Sequence, residues 1–293
     1  MLVGVMCFSL SSLLIRQAGQ YMDSPQITFI RSAIGLTVLI PLFFYIGPKA
    51  TFATTRFSMH ALRAVVGVMG MNCGFYAFAT LPVATSTTIS FSRTFFLIGL
   101  AAWLLGEHIR WRRTLATCFG FCGVLVILRP GMAAMDLSLI IAVMGAFLSA
   151  CVVVIIKRFQ DRGAVILGYF TVLSFFFNMP GAWLVWQPIA VEAFFPVIGI
   201  GLLTTLGQVC LIVAYRAGKA TVLSPLDYLR LPIVGVLAFF FFGEIPEIYT
   251  YLGAMMILAS SFYILHREYV VRRERRTRAA ALVGENPNQS PLN

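Results

Sequence analysis

The sequence predicts an all-α polytopic membrane protein of ten transmembrane helices, and three observations carry that prediction. Hydrophobic residues make up 59% of the 293-residue chain and charged residues only 11%, with a mean hydropathy of +0.88. A water-soluble domain needs roughly a quarter of its residues charged. The apolar residues gather into ten runs, most near the roughly 20 residues that a helix needs to cross the hydrocarbon layer. The basic residues between those runs fall on one side of the membrane when the runs are threaded alternately.

The runs, in order, justify themselves unevenly. Segment 1–18 carries Arg16 at its far end and lacks a good cleavage site after it, so it reads as a span rather than a signal peptide. Segment 26–46 holds Arg31 a turn or so from its start, where it reaches the interface, gates a vestibule or lines a cavity. Segment 61–80 holds Gly67, Gly70 and Gly74, a spacing that lets one helix approach another closely. Segment 82–105 is hydroxyl-rich from Thr85 to Ser92 and then carries Arg93. Segment 114–129 is short and spans by extension or in thinned bilayer, and 137–156 is uniformly apolar. Segment 165–186 contains Asn178 just before Met179-Pro180, where the proline frees a carbonyl and bends the helix. Segments 194–215, 219–242 and 248–265 complete the set, leaving no room for a soluble domain.

Threading from an inner N-terminus places Lys49, Arg56, Arg63, Arg110, Arg112, Arg113, Lys157, Arg158, Arg162, Arg216 and Lys219 in or beside inner loops. The outer side receives Arg16 and Arg129 with Asp23, Asp136, Glu192, Glu244 and Glu247. This asymmetry is the positive-inside rule, and an odd number of spans would scramble it. The net charge of +11 therefore belongs to membrane topology and excludes nucleic acid as the expected partner. Beyond residue 267 the chain turns basic, with five arginines between Arg272 and Arg278, and then polar. That stretch reads as an anchor at anionic headgroups followed by a disordered end.

Shifting the chain on itself by 137 residues aligns Gly70 with Gly207, Arg93 with Arg230, and Gly106-Glu107 with Gly243-Glu244. The expected organisation is two five-helix halves, 1–130 and 131–267, with a tail at 268–293. Because five is odd, the second half enters from the opposite face, a plan that secondary transporters use to exchange inward and outward openings.

Arg93 and Arg230 then fall near midplane, where an isolated guanidinium costs at least about 2.5 kcal/mol. Each lines a wet cavity and attracts a carboxylate or phosphate, or is locked by helix carbonyls or a polar neighbour. Asp227, three residues before Arg230, is such a neighbour and the one carboxylate placed to couple protons. Further cavity candidates are Arg31, Asn72, Tyr76, Ser90, Gln208, Tyr228, Asn178 and Tyr169, with helix gluing the alternative for Asn72 and Gln208 and a hinge role that for Asn178. Glu107 and Glu244 read as helix-end structural or gating residues. Trp103, Trp183 and Trp186 fit interfacial belts. The six cysteines lie inside apolar segments without histidine or carboxylate partners, so neither a metal site nor a disulfide framework is expected. His60, His108 and His266 sit at helix ends with no nucleophile or paired acid, so an enzyme is not expected, nor any cofactor.

FYAFATLPVATSTTISFSRTFFLIGLAAWLLGE, followed by GFCGVLVILRPG, with FIRSAIGL upstream and FFFFGE in the second half, resembles the EamA-like transporters of the drug/metabolite transporter superfamily. The resemblance runs through Arg267. It implies two inverted five-helix repeats, a central cavity, alternating access, and a bacterial inner membrane with both termini cytoplasmic. It also implies a small organic solute, such as an amino acid, an amino-acid derivative or S-adenosylmethionine. Many such proteins carry a proline near the middle of helix four where this chain has Arg93. A drug efflux pump for amphipathic cations and a non-transporting membrane receptor or regulator are the alternatives. Import or export, energy coupling, and monomer or homodimer stay open.

Overall fold

The computed structural model describes residues 1–47, 52–54, 56–105, 111–128, 136–157, 163–217 and 229–285. Lys49, Arg110, Arg129, Arg158, Arg162 and Lys219, assigned above to one side or the other, lie outside them. Every described element is a helix: α1 Leu2–Ala18, α2 Ser24–Ile46, α3 Phe57–Thr80, α4 Val83–Phe91, α5 Arg93–Leu105 and α6 Trp111–Leu128. They continue as α7 Leu137–Lys157, α8 Gly163–Leu184, α9 Val191–Ala217, α10 Arg230–Phe242 and α11 Ile248–Glu285. Seven stretches are long and apolar enough to cross a membrane, α4 and α5 together forming one of them. Leu2–Ala18, Thr114–Leu128 and Arg230–Phe242 are shorter apolar helices.

The protein is turned inside out relative to a soluble one. Phe44, Trp103, Trp183, Phe195 and Phe240 face outward, while Ser9, Ser12, Thr28, Thr87, Ser92 and Asn178 are buried. In lipid, the outer face needs no polar groups, and interior hydroxyls satisfy helix carbonyls. The bundle packs α1 on α9, α3 on α7, α2 on α8 and α6 on α11, with α4 against α10 and α5 against α7. Small residues permit the closest approaches: a Cβ added at Gly70 would stand 3.1 Å from Leu148 Cβ on α7, and one at Gly4 would stand 3.3 Å from the Gly207 carbonyl on α9. The expectation of tight packing at Gly70 therefore holds, and Gly74 contributes its backbone, 3.2 Å from a Cβ placed at Gly145.

Helix breaks have local causes. Pro82 opens α4, and Leu81 before it is extended, as the residue before a proline prefers. The rod then breaks at Ser92, between α4 and α5. Thr87, Thr88, Ser90 and Ser92 each donate a hydroxyl to a carbonyl three or four residues back, competing with the helical ladder and bending it. Gly243 ends α10 in the left-handed region at φ 64°, a conformation that costs a residue with a Cβ.

The last helix runs on from its apolar part through the basic stretch to Glu285. Arg, Glu and Ala are strong helix formers, and the ladder begun in the membrane removes the cost of nucleation. At 1.5 Å per residue α11 is about 57 Å long, so it must project well beyond one face of the bilayer. Arg63, placed above in or beside an inner loop, lies in the second turn of α3 and is buried, with its guanidinium 4.3 Å from the centroid of the Phe170 ring.

Candidate solute cavity

A cavity of about 250 Å³ lies among α1, α2, α3, α4, α5, α7, α9 and α10. Arg31, Arg93 and Arg230 all line it, each delivered by a different helix. Arg93 is the first residue of α5, immediately after the Ser92 break, and Arg230 is the first residue of α10. The Arg230 guanidinium stands 5.6 Å from the Phe78 ring centroid and 5.8 Å from that of Phe8, close enough for cation–π attraction.

Arg31 reaches much farther than its place in sequence suggests. Its Nε donates to Thr204 Oγ1 at 3.0 Å, and its Nη1 lies 3.0 Å from Met71 Sδ. Both partners sit near the middles of their helices, α9 and α3. The side chain therefore runs along the bundle to mid-depth, away from the interface. Beyond it lies a second cavity of about 30 Å³, room for a water, lined by Arg31, Gln208, Ser174 and Thr205 among others.

The other expected residues divide between cavity and framework. Ser90 lines the large cavity, although its hydroxyl donates to the Thr87 carbonyl at 2.7 Å. Asn72 and Asn178 are outside that lining and bond to each other, Asn72 Nδ2 donating to Asn178 Oδ1 at 2.9 Å. Thr28 Oγ1 donates into the same group, 2.8 Å from Asn72 Oδ1, so the cluster ties α2, α3 and α8 together. Tyr169 donates its hydroxyl to the Phe52 carbonyl at 2.9 Å and stacks on His60 with centroids 4.6 Å apart. Tyr76 is on α3 but outside the cavity lining. Glu107, Asp227 and Tyr228 lie outside the described residues.

Glu244 occupies a junction of helix ends. Its Oε1 accepts from Arg16 Nε at 3.1 Å, and its Oε2 accepts from the Val83 backbone N–H at 2.9 Å, at the start of α4. Arg16 Nη1 also donates to the Ala79 carbonyl in the last turn of α3. The left-handed turn at Gly243 sets Glu244 there, which explains physically why the two residues form a unit. The ends of α1, α3, α4 and α10 are thereby joined. Ile15, Ala77, Phe78 and Ser86 of the cavity wall lie close in sequence to this junction.

Sequence reasoning missed the contribution of α1. Phe8, Ser11 and Ser12 line the cavity, and Ser9, Ser11 and Ser12 are nearly fully buried. The run of serines in an apolar helix is the same signal that marked Thr85 to Ser92. Thr204 and Arg16 carried no such local mark, because their partners are distant in sequence.

Comparison with known proteins gives a consistent family assignment. The model of the EamA-like transporter family matches residues 1–129 and 136–266. An S-adenosylmethionine uptake transporter of Rickettsia felis is 30% identical, with 91% of each chain covered. A riboflavin transporter of Vibrio cholerae is 29% identical, covering 89% of this chain and 88% of that one. A solved crystal structure superposes with a TM-score of 0.63 at 16% identity, covering 93% of this chain and 97% of the other, a likeness of fold.

Proposed function

The chain belongs to the EamA-like transporter family of the drug/metabolite transporter superfamily, and from that premise we propose that it is a secondary transporter moving a small organic metabolite by alternating access. The observation that carries the proposal is the convergence of Arg31, Arg93 and Arg230 on one cavity. Guanidinium groups in an apolar bundle are costly unless water, a partner or an anionic ligand meets them. Gathering three around one cavity favours an anionic group there. An amphipathic cation would be repelled there, so drug efflux of cations is disfavoured. The relatives' names make S-adenosylmethionine and riboflavin the reference solutes to try, with amino-acid derivatives beside them as smaller carriers of a carboxylate.

Alternating access is supported by the packing. When segments one to five are exchanged with six to ten, the α3–α7 contact becomes the α9–α1 contact, while α2–α8 and α6–α11 map onto themselves. Gly70 and Gly207, aligned by the 137-residue shift, serve the two exchanged contacts. This favours ten spans in two inverted halves, 1–130 and 131–267, with both termini on the cytoplasmic side of a bacterial inner membrane. In that orientation the Arg16–Glu244 junction closes the outer end of the cavity, as the gating role read for Glu244 requires. Asn72 and Asn178 act as a hinge-side clamp rather than as ligands, and Tyr169 as part of an inner aromatic plug.

Proteoliposomes loaded with the purified protein test the reading. Saturable uptake of at least one labelled metabolite, reduced in Arg93→Ala without loss of folded protein, is the expected result. A folded protein giving no saturable flux for amino acids, S-adenosylmethionine, riboflavin or organic anions would refute it.

A further inference from the structure

We infer that the central cavity takes a compact organic dianion with an apolar body, a solute smaller and more negative than S-adenosylmethionine or riboflavin. The inference rests on the transporter reading and narrows it to a substrate class.

Charge is the first argument. Arg31, Arg93 and Arg230 line the cavity, and no Asp, Glu or His is among its described lining residues. Arginine stays protonated at any physiological pH. Glu244 is engaged by Arg16 and the Val83 N–H and is not part of the lining. Asp227 precedes Arg230 by three positions and is outside the described residues. Even with Arg230 fully offset by it, Arg31 and Arg93 leave two positive charges for the solute to meet. S-adenosylmethionine brings one carboxylate with a sulfonium and an ammonium, a net cation, and riboflavin brings no charge. Neither balances the site.

Size and wall chemistry agree. About 250 Å³ lies below the roughly 300–1,000 Å³ typical of pockets for drug-sized ligands. Phe8, Phe75, Phe78 and Phe91 supply ring faces and edges for an apolar body. Ser11 lines the same space, is only 2% exposed, and its hydroxyl has no hydrogen-bond partner. A buried hydroxyl is costly to leave unsatisfied, and a solute oxygen would satisfy it. Paired oxygens on a phosphate monoester or a dicarboxylate match the forked donors of arginine. The shared chemistry is two negative charges on a small, partly apolar skeleton.

The test uses the purified full chain with five probes: phenyl phosphate, phenylsuccinate, phenylacetate, S-adenosylmethionine and riboflavin. Binding is read by calorimetry at pH 7.5, and flux in proteoliposomes. At least one of the two dianions is expected to bind about tenfold or more tighter than phenylacetate, the scale of one added charge-assisted contact. Which dianion wins separates phosphate from dicarboxylate recognition. Arg93→Ala should erase most of that margin while Arg93→Lys keeps part of it, with thermal midpoints reporting that both variants fold. If phenyl phosphate binds, its advantage should shrink as the pH falls below about 6, where the phosphate monoester dianion takes up one proton and becomes a monoanion. Equal binding of phenylacetate and both dianions overturns the inference, as does tighter binding of S-adenosylmethionine or riboflavin. Saturable flux of either of those two leaves the transporter reading standing while removing the dianion. A folded protein with no saturable flux for any probe removes both.

Discussion

Replacing Glu244 by glutamine should open the cavity to the outside, and the structure sets the scale. The carboxylate holds two contacts, an ion pair to Arg16 Nε at 3.1 Å and the Val83 N–H at 2.9 Å. Glutamine keeps the side-chain length and an oxygen for Val83, so the substitution removes chiefly the charge. The two side chains are 24% and 15% exposed, so solvent screens the pair in part. Hydrogen bonds to charged groups contribute about 1.5–3 kcal/mol, and partial screening brings the value here to about 2 kcal/mol. If the pair exists only when the outer end is closed, its loss shifts the closed-to-open ratio about thirtyfold. The assay is labelling of a cysteine placed at Ser12, a cavity residue, by a membrane-impermeant maleimide in intact cells, in a background lacking the native cysteines. Labelling should rise by about that factor in Glu244→Gln and again in Arg16→Gln, with no further gain in the double variant. Unchanged labelling in folded Glu244→Gln would refute the reasoning, and additive effects of the two changes would show that the residues act separately.

Other perturbations have equally definite outcomes. Gly243→Ala should cost about 1–2 kcal/mol through its left-handed backbone alone, because a Cβ there meets nothing within 4 Å. It should lower the thermal midpoint and raise Ser12-position labelling, since Glu244 loses its aim. Asn178→Leu should lower the thermal midpoint through about 1–3 kcal/mol of lost hydrogen bonding to Asn72, while leaving solute affinity within a fewfold. Gly145→Leu should drive α7 from α3, because even a Cβ would stand 3.1 Å from Cys73 Cβ. The expected readout is loss of monodisperse protein on size-exclusion chromatography.

What the sequence made legible is what depends on neighbours along the chain. Spanning segments are a local property, since hydropathy over about 20 residues decides whether lipid accepts a helix. Arg93 and Arg230 stood out because a charge inside an apolar run is visible without knowing the fold, and both line the cavity. Arg31 was placed by its Cα, a turn from the helix start, whereas its long side chain carries the charge to Thr204 and Met71. The Arg16–Glu244 pair joins residues 228 positions apart, so only the bundle brings them together. At the C-terminus hydropathy marks only the apolar part of the last helix, whereas helix-forming residues attached to a formed helix carry it on to Glu285. Asn72 and Asn178 show the remaining ambiguity: an amide in a lipid-embedded helix serves a ligand or a neighbouring helix, and only the 2.9 Å contact between them points to the second.

The central claim is that Arg31, Arg93 and Arg230 together receive one solute. Counterflow of a labelled solute into proteoliposomes preloaded with the unlabelled compound measures this most directly, because exchange needs binding and alternating access but no coupling ion. Wild-type protein should show a transient accumulation that each of Arg31→Ala, Arg93→Ala and Arg230→Ala reduces at least about tenfold at equal amounts of folded protein. Full counterflow in all three variants would contradict the account.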